Sequence, residues 1–472
     1  MKLEFERAAF LKAWQVAEKY TPSKTTMDAL NGIRITADAS GLVTLEATNL
    51  KESVKCPATK TTVLEPGQAV LNASIVGNML RKSSAKSITL EVSSDKGTII
   101  AGKSRSKFAV IAADTFPNLP ERSGADEICT IMAADLSRLI TEGSSAASAP
   151  SDFPKYLGTC MLRTQDGRLL SVSTDGKRLA RSQMLCSVSK NDDVVLPAAA
   201  LKDLAKIFTG RENVRLFADG TLAWFVLEKP QDEAEGAETP EGNTETPAEP
   251  TPEASAETPE ATAENADSAS EEAPAENTDS GEAKPAQTKP QEFLLDGAEF
   301  SIRRVETNFP KYERILNNEL RTKIKITKSA LAGAVDRIDV IARNNTAHAM
   351  AITIKPMNEM RITARAPELG TASEELEAAV DGSPIQIGFN VSYFLDGLKA
   401  VNSEEVIIEF SEEEGQTRMY KDEGDDFLYM LMPIRLTDQD IVDEPEEPVQ
   451  EDQPAPEESL PSPEEHTEDS PF

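Results

Sequence analysis

The sequence predicts an α+β fold made of three similar units, each with two helices packed on antiparallel sheet. One pattern of strands and helices recurs three times along the chain, and short turn sequences separate neighbouring strands. Nearly all of the net negative charge lies in two tracts outside that pattern. We therefore predict three domains, at residues 1–122, 123–317 and 318–436, followed by an acidic tail at 437–472.

Each unit opens with a short alternating strand that leads into an amphipathic helix. In the third unit, Leu331, Val335 and Ile338 are spaced i, i+4 and i+7, which places them on one face of a helix. The three openings read MKLEFERAAFLKAWQVAEKY at 1–20, EICTIMAADLSRLITEGSSAAS at 127–148 and TKIKITKSALAGAVDRIDVIARN at 322–344.

A pair of strands around a turn follows each opening. Ser40-Gly41 and Asp166-Gly167 mark that turn in the first two units. A strand, a second helix and another strand come next, and each unit closes with a hairpin. In the second unit this closing hairpin is interrupted by the first acidic tract, at a loop tip that tolerates insertion.

The chain has a formal net charge of −32, but its acidic residues are concentrated. Residues 231–290 hold 17 acidic residues and 2 lysines, and residues 437–472 hold 14 acidic residues and no lysine or arginine. Both tracts are proline-rich and bury too little apolar surface to offset the entropy of ordering, so we predict that they are disordered. The remaining chain is close to neutral, so the overall acidity does not exclude a nucleic-acid partner.

Several functional classes are disfavoured by the composition. The four cysteines lack metal-ligand spacing and are interpreted as core residues of a reduced protein. The charged N-terminus does not read as a signal peptide, and no apolar run reaches membrane length, so we expect a cytoplasmic protein without a membrane partner. We expect no metal or cofactor.

An enzyme is also disfavoured. The chain has 2 histidines, and we find no glycine-rich phosphate loop and no Ser/His/Asp or Cys/His arrangement. A catalytic cluster near Asp175 and Arg178 is the alternative, but turn chemistry explains the Asp175-Gly176 pair better.

Five motifs occur in order along the threefold repeat. They are FPNL at 116–119, STDGKRLA at 173–180, FPKYERIL at 309–316, GFNVSYFLDGL at 388–398 and MPIRL at 432–436. On these motifs the chain resembles the bacterial DNA sliding clamp family, the beta subunit of DNA polymerase III. The resemblance spans residues 1–436 apart from the tract at about 229–291.

The resemblance implies a head-to-tail homodimer that closes into a six-domain ring. Twelve helices would line a hole through which duplex DNA passes without being read for sequence. The protein would be a non-catalytic processivity factor that tethers the replicative polymerase. A head-to-tail interface between repeated copies closes into a ring when the rotation from one copy to the next divides a full turn.

A sliding contact with DNA requires basic side chains and no base readout. The residue Lys24 occupies the TPSKTT loop, where the family places a basic residue that contacts DNA. For Tyr156, the resemblance implies an approach to DNA, and a packing role is the alternative. The candidates for the pore are Lys12, Lys24, Arg81, Lys82, Arg138, Tyr156, Lys202, Lys206, Arg337 and Lys399.

The resemblance also implies a groove between domains two and three. In the family it takes a short peptide with a glutamine followed by leucine and phenylalanine, carried by the polymerase, the clamp loader and repair proteins. Flexible methionines and aliphatic walls suit such apolar anchors. The corresponding positions are Leu157, Thr174, Gly176, Lys177, Arg178, Leu179, Pro310, Arg314, Ile315, Asn390, Tyr393, Met430, Met432, Pro433, Ile434, Arg435 and Leu436. An ordinary interdomain core is the alternative.

For the dimer contact, the resemblance suggests Phe108 and Val110 against Val340 and Ile341, with packing inside each domain as the alternative. Two departures from the family pattern are Lys177, where the family often has histidine, and the stretch TMDALNG at 26–32. The main rival function is therefore a clamp-like paralogue that serves as a protein scaffold and is not loaded on DNA.

Overall fold

The computed structural model describes residues 1–230, 295–316, 320–355, 357–411, 415–421 and 426–436. The tracts predicted to be disordered, 231–290 and 437–472, lie outside these residues. The described residues form two compact units, the first within Met1–Asn317 and Tyr420–Met430 and the second within Asn318–Met419 and Leu431–Phe472. None of the described helices has the length and apolar character needed to cross a membrane.

The predicted α+β class is confirmed, because six α-helices pack on antiparallel sheets in the described residues. In the first repeat the helices are α1 (Arg7–Glu18) and α2 (Ala73–Lys82). Its strands are β1 (Lys2–Glu6), β2 (Gly32–Ala37), β3 (Val43–Thr48), β4 (Glu52–Pro57), β5 (Thr61–Glu65), β6 (Gly67–Asn72), β7 (Ser87–Val92), β8 (Lys96–Ala101) and β9 (Ser104–Ile111).

The second repeat has the same order of elements. Its helices are α3 (Ala133–Gly143) and α4 (Ala198–Ala205). Its strands are β10 (Asp126–Met132), β11 (Thr159–Gln165), β12 (Arg168–Thr174), β13 (Arg178–Leu185), β14 (Ser187–Val188), β15 (Asp193–Pro197), β16 (Asn213–Ala218), β17 (Leu222–Glu228) and β18 (Glu299–Arg303).

The third repeat supplies the second unit. Its helices are α5 (Lys328–Ala342) and α6 (Val391–Ala400). Its strands are β19 (Thr322–Thr327), β20 (Ala349–Ile354), β21 (Glu359–Ala366), β22 (Gly370–Glu377), β23 (Ala379–Gly382), β24 (Ile385–Asn390), β25 (Glu405–Phe410) and β26 (Thr417–Tyr420), and a final strand, β27 (Phe427–Leu431), follows.

One 14-stranded sheet joins the first two repeats within the first unit, in the order β14-β10-β16-β17-β18-β4-β3-β2-β6-β9-β8-β7-β1-β5. The junction is the antiparallel pair β18 and β4, where Phe300 lies opposite Val54. The buried hydroxyls of Ser53 and Ser301 hydrogen-bond across it at 2.6 Å. A second sheet of this unit runs β15-β11-β12-β13-β27.

The second unit contains two groups of paired strands, β26-β25-β19-β23 and β22-β21-β20-β24. The side chains of Leu331, Val335 and Ile338 on α5 are fully buried, which confirms the predicted apolar face. The Lys328 ammonium donates to the Val401 carbonyl at 2.8 Å and so ties the start of α5 to the end of α6.

The predicted turns are confirmed. Between β2 and β3, the Asp38 carboxylate accepts from the N–H groups of Ser40 and Leu42, both at 2.9 Å. Between β11 and β12, Asp166 and Gly167 have φ angles of 51° and 72°, in the left-handed region that tight hairpin turns require. The prediction of core cysteines holds for three of the four, since Cys186 is only half-buried.

Candidate functional site

Each α-helix in the described part of the chain carries at least one of the basic residues predicted to face DNA. The Lys206 residue is the C-cap of α4, and Lys24 lies in the loop after α1. Within the set, Arg138 is half-buried and the other lysines and arginines are exposed. The helix positions are Lys12 on α1, Arg81 and Lys82 on α2, Arg138 on α3, Lys202 on α4, Arg337 on α5 and Lys399 on α6.

Carboxylates offset part of this positive charge. The Arg81 guanidinium donates to both carboxylate oxygens of Glu18, at 2.7 and 3.2 Å. Likewise, Arg337 donates to both oxygens of Glu374, at 2.8 and 2.7 Å. Within the described residues no ion pair is formed by four exposed lysines of the set, Lys12, Lys24, Lys82 and Lys399. No carboxylate in the described residues therefore offsets the charge of these four lysines.

The half-buried Tyr156 lies in a short 3-10 helix, Lys155–Gly158. Its ring packs edge-on against Phe309, with 6.4 Å between the ring centroids. The Tyr156 carbonyl also accepts from the Thr159 hydroxyl at 2.7 Å. The ring contact supports a packing role for Tyr156, and its approach to DNA stays a prediction.

A tight turn between β12 and β13 holds the domain-two residues of the predicted groove. The Thr174 hydroxyl donates to the Arg178 carbonyl at 2.6 Å and accepts from the Gly176 N–H at 3.1 Å. The Asp175 carboxylate accepts from the N–H groups of Lys177 and Arg178, both at 2.9 Å. Since Gly176 has a φ of 85°, the turn favours glycine there.

The Arg178 side chain is buried, with 9% of its surface exposed. Its Nε donates to Asp175 Oδ2 at 2.9 Å, and its Nη1 donates to the hydroxyl of the buried Tyr429 at 3.1 Å. The Asp175 carboxylate is thus committed to the turn and to Arg178. This geometry makes the pair an anchor that links β13 to β27 and leaves no acid or base poised for catalysis.

An apolar cluster lies beside this anchor in the first unit. It consists of Met161, Val172, Leu179, Val195, Tyr312 and Met430, with Val305, Phe309 and Leu316 packed against it. The groove candidates Leu179 and Met430 are 1% and 2% exposed, so they form the core under any surface groove. The exposed candidates of this unit are Gly176, Lys177, Arg314 and Ile315, and the half-buried ones are Leu157 and Pro310.

A cavity of about 530 Å³ opens next to the apolar cluster within the first unit. The side chains of Met161, Val195, Val305 and Phe309 belong to both the cluster and the cavity wall. The sequence did not reveal this cavity, because Val195 on β15 and Val305 after β18 lie far apart in the chain. The consecutive apolar residues of DVVLP indicate a buried strand but not a cavity.

The domain-three residues of the predicted groove lie in the second unit. A single β-bridge joins Ile434 to Gly388, where the Ile434 N–H donates to the Gly388 carbonyl at 2.9 Å. A Cβ on Gly388 would lie 2.6 Å from Leu436 Cδ2 and 2.7 Å from the Ile434 carbonyl oxygen, so this close approach requires glycine. Here Met432 and Arg435 are exposed, and Pro433, Ile434 and Leu436 are half-buried.

Asn390 ends β24 and caps α6. Its Oδ1 accepts from the Tyr393 N–H at 3.2 Å, and its Nδ2 donates to the Ala347 carbonyl at 3.0 Å. Both Asn390 and Tyr393 are half-buried. The amide retains one N–H and one lone pair after these two bonds, which suits recognition of another amide.

The predicted dimer residues lie at different depths. In the first unit, Phe108 and Val110 on β9 are half-buried against their own core, and the Phe108 ring covers Gly97. In the second unit, Val340 on α5 is 59% exposed, and Ile341 is half-buried. Of the four predicted dimer residues, Val340 is therefore the most exposed.

Three further side chains meet in the second unit, Asp339, His348 and Ser392. The imidazole contacts Asp339 Oδ1 through Nε2 at 2.5 Å and Ser392 Oγ through Nδ1 at 3.2 Å. The sequence did not reveal this contact, because the residues are 9 and 44 positions apart and match no motif.

Comparison with known proteins decides the family. Three family profiles match successive parts of the chain: the DNA polymerase III beta subunit N-terminal domain at residues 1–120, its central domain at 130–228 and its C-terminal domain at 313–435. The chain belongs to the family of bacterial beta sliding clamps. The resemblance inferred from the five motifs is therefore confirmed.

Individual relatives agree with this family. The beta sliding clamp of Pseudomonas putida KT2440 is 24% identical over 439 residues, covering 92% of this chain and 100% of that protein. The beta sliding clamp of Staphylococcus aureus Mu50 is 23% identical, covering 92% of this chain and 99% of that protein.

Solved sliding clamps share the fold. The Bacillus subtilis DNA polymerase sliding clamp superimposes with a TM-score of 0.73 at 20% identity, covering 93% of this chain and 100% of that one. The Pseudomonas aeruginosa clamp bound to griselimycin superimposes with a TM-score of 0.72 at 22% identity, covering 92% of this chain and 100% of that one.

As a clamp of this family, the protein is a processivity factor of DNA polymerase III and is not itself an enzyme. DNA and a polymerase are its partners at the level of the family. The alternative of an enzyme site near Asp175 and Arg178 is wrong. Both side chains serve the turn and the link to Tyr429.

Proposed function

We propose that two copies of the chain associate head to tail around duplex DNA and slide along it without reading its sequence. The observation that carries this proposal is the presence of a basic residue on every described α-helix, with apolar residues on the buried face of the same helix. On α4, for example, Lys202 is exposed while Leu201 and Leu204 are fully buried. Contacts of this kind meet phosphates and leave the bases unread.

Two strand edges of opposite charge support the homodimer. Within the described residues, β9 pairs with β8 from Ser104 to Ala109 and with β6 at Val110 and Ile111. The half of β9 without a second neighbour carries Arg105 and Lys107. In the second unit, the edge strand β22 carries Glu374, Glu375 and Glu377. Exposed edges with complementary charge favour strand pairing between copies.

We further propose that the groove candidates of both units bind short peptides carried by the polymerase, the clamp loader and other clamp-binding proteins. The apolar cluster around Leu179 and Met430 supplies a floor for leucine and phenylalanine side chains. The remaining hydrogen-bonding capacity of the Asn390 amide suits the glutamine of such a peptide. Because the protein acts on chromosomal DNA, we place it in the bacterial cytoplasm.

Loading on DNA tests the ring. With a clamp loader and ATP, the protein is expected to stay on nicked circular plasmid through gel filtration and to leave after the plasmid is linearised. If the protein does not co-elute with the circular plasmid but still binds the peptide, the rival function of a protein scaffold that is not loaded on DNA is favoured.

Fluorescence polarisation tests the groove. A labelled peptide with the Gln-Leu-Phe pattern should bind, and a matched peptide with alanine at those three positions should not. Griselimycin, with which the Pseudomonas aeruginosa clamp was crystallised, serves as a second probe and should compete with the peptide. Equal binding of the two peptides would refute specific recognition.

A further inference from the structure

Three side chains without a predicted role meet in the second unit. The His348 imidazole lies between Asp339 on α5 and Ser392 in the first turn of α6. The side chains of His348 and Asp339 are 27% and 17% exposed, so solvent screens these contacts only in part. The Arg343 guanidinium also donates a hydrogen bond to the Asp339 carboxylate.

Both protonation states of the imidazole satisfy this arrangement. In the neutral ring, Nε2–H donates to the Asp339 carboxylate and Nδ1 accepts from the Ser392 hydroxyl. In the charged ring both nitrogens donate, and the serine hydroxyl rotates to accept. Burial acts to raise the pKa of Asp339, but the hydrogen bonds from His348 and Arg343 outweigh it, so this pKa is lowered and the carboxylate stays charged.

The backbone at His348 shows that its side chain is held there against a conformational cost. The residue has a φ of 51°, in the left-handed region that favours glycine. Its position is fixed by a turn in which Asn345 Oδ1 accepts from the Ala349 N–H at 2.8 Å. A glycine would adopt this conformation more easily, but it would lose both side-chain contacts.

The same short segment controls the start of α6. The Val391 N–H donates to the His348 carbonyl at 2.9 Å, and the Asn390 amide donates to the Ala347 carbonyl at 3.0 Å. With the imidazole on Ser392, residues 347–348 hold three consecutive residues at this helix start, 390, 391 and 392. Since the Asn390 Oδ1 also accepts from the Tyr393 N–H, both ends of the Asn390 amide are held in place.

We propose that His348 is a positioning residue for partner-peptide recognition, and that its contacts with Asp339 and Ser392 hold the α6 N-terminus so that Asn390 meets an amide side chain of the peptide. The inference rests on the proposed peptide-binding function and extends it from the groove residue Asn390 to a residue that supports it. A well-oriented amide loses less rotational freedom on binding, so loosening it weakens recognition.

The test compares His348→Gly with Ser392→Ala in the full-length protein. The glycine variant removes the imidazole while accommodating the positive φ, and the alanine variant removes one exposed hydroxyl. Each variant is expected to bind the labelled Gln-Leu-Phe peptide with a Kd about fivefold higher than that of the wild type, which is the effect of one lost hydrogen bond. The double variant should bind no more weakly than His348→Gly alone, because both changes break the same contact.

Two controls separate positioning from general destabilisation. A second residue of this unit, Met357, has a φ of 68° and is 88% exposed, so Met357→Gly should leave peptide affinity unchanged. Replacing the peptide glutamine by alanine should abolish the difference between His348→Gly and the wild type, since the lost contact is then absent from both complexes.

Several outcomes would overturn the proposal. Wild-type affinity in both Ser392→Ala and His348→Gly would exclude the positioning role and leave the groove assignment intact. If His348→Gly fails to fold, Ser392→Ala alone decides, and its unchanged affinity would refute the role. Failure of the wild-type protein to bind the peptide would instead refute the proposed groove, and this inference with it.

Discussion

Arg178 and Tyr429, which are 251 positions apart in the chain, form a buried hydrogen bond of 3.1 Å from the guanidinium to the phenol. The bond ties the start of β13 to β27, the last strand of the fold. A guanidinium held by both Asp175 and Tyr429 cannot reorient without losing a charged partner. The pair therefore fixes the edge of the candidate groove in the first unit.

Tyr429→Phe should lower the free energy of unfolding by about 1 to 2 kcal/mol, because it removes a hydrogen bond to a buried charged group. Urea unfolding followed by circular dichroism measures this difference. The matched control is Tyr20→Phe, at a tyrosine that is 4% exposed. The Tyr20 hydroxyl makes no hydrogen bond within the described residues, so a loss as large as that of Tyr429→Phe would contradict the role of the Arg178 bond.

Glu142 should make stability fall as the pH rises. Its side chain is buried, and burial raises its pKa although the Ser182 hydroxyl donates to it at 2.6 Å. The folded protein thus holds the proton more tightly than the unfolded chain. The favourable contribution is complete below the ordinary glutamate value of about 4.3 and is lost as the pH rises through the higher folded value.

Glu142→Gln removes this titration and keeps an oxygen for Ser182. The variant is expected to show a flatter dependence of unfolding free energy on pH than the wild type. The difference should grow in favour of the variant across that window and stay constant above it. Urea unfolding at a series of pH values measures it. As a control, Glu46→Gln should destabilise the protein, because the Glu46 carboxylate accepts a hydrogen bond from Arg34 at 2.6 Å. If the unfolding free energies of Glu142→Gln and the wild type vary with pH in parallel, the prediction is wrong.

DNA contacts should be additive and independent of sequence. Alanine at Lys12, Lys24 or Lys82 is expected to weaken DNA binding about equally on any duplex and to reduce the salt slope by about 0.9 for each lost phosphate contact. Polarisation titrations at several salt concentrations measure both. Lys206 pairs with Asp203 at 2.7 Å, so Lys206→Ala should have a smaller effect. Unchanged slopes for all three lysines would exclude them from the DNA contact.

Charge reversal tests the dimer edges. Replacing Arg105 and Lys107 on β9 by glutamate should raise the dimer Kd by about tenfold or more, since like charges then face β22. Light scattering at micromolar concentration should move from twice the chain mass of 51.2 kDa towards that mass. Mixing this variant with one carrying Glu375→Lys and Glu377→Lys should restore the dimer. Persistent monomers in the mixture would argue against pairing of these strands.

The acidic tract in domain two should be removable. The strands on either side remain paired up to its ends, since the Lys229 N–H donates to Asp296 Oδ1 at 2.9 Å and Gly297 N–H donates to the Leu227 carbonyl at 2.8 Å. Replacing residues 231–294 by a four-residue turn should raise the unfolding free energy by about 2 kcal/mol, because a shorter loop costs less closure entropy. Urea unfolding measures the change, and a lower midpoint would show that the tract contributes contacts.

Local signals made much of the fold predictable. The apolar spacing on α5 and the Asp166-Gly167 turn identify elements because they act over a few residues. The family motifs also carried the candidate groove, although which of its residues are buried, such as Leu179, depends on packing between distant strands. The candidate DNA contacts were predictable as basic residues on helices, but the ion pair of Arg81 with Glu18 was not.

Features that depend on long-range register could not be predicted. The pairing of β4 with β18 joins residues that are 248 positions apart at Ser53 and Ser301, and no local pattern records it. The Asp339, His348 and Ser392 contact needs a left-handed turn at His348, where a sequence reader expects glycine. The packing of Tyr156 on Phe309 likewise depends on a chain reversal after the second repeat.

The pairing of β17 with β18 on either side of the acidic tract has an evolutionary consequence. Because β17 and β18 stay in register across it, from Leu222 opposite Arg303 to Val226 opposite Glu299, changes within the tract do not shift any residue of the sheet. Natural selection can therefore act on the length and composition of the tract separately from the packing of the strands. We therefore expect the length of the tract to differ among related chains more than the register of β17 and β18 does.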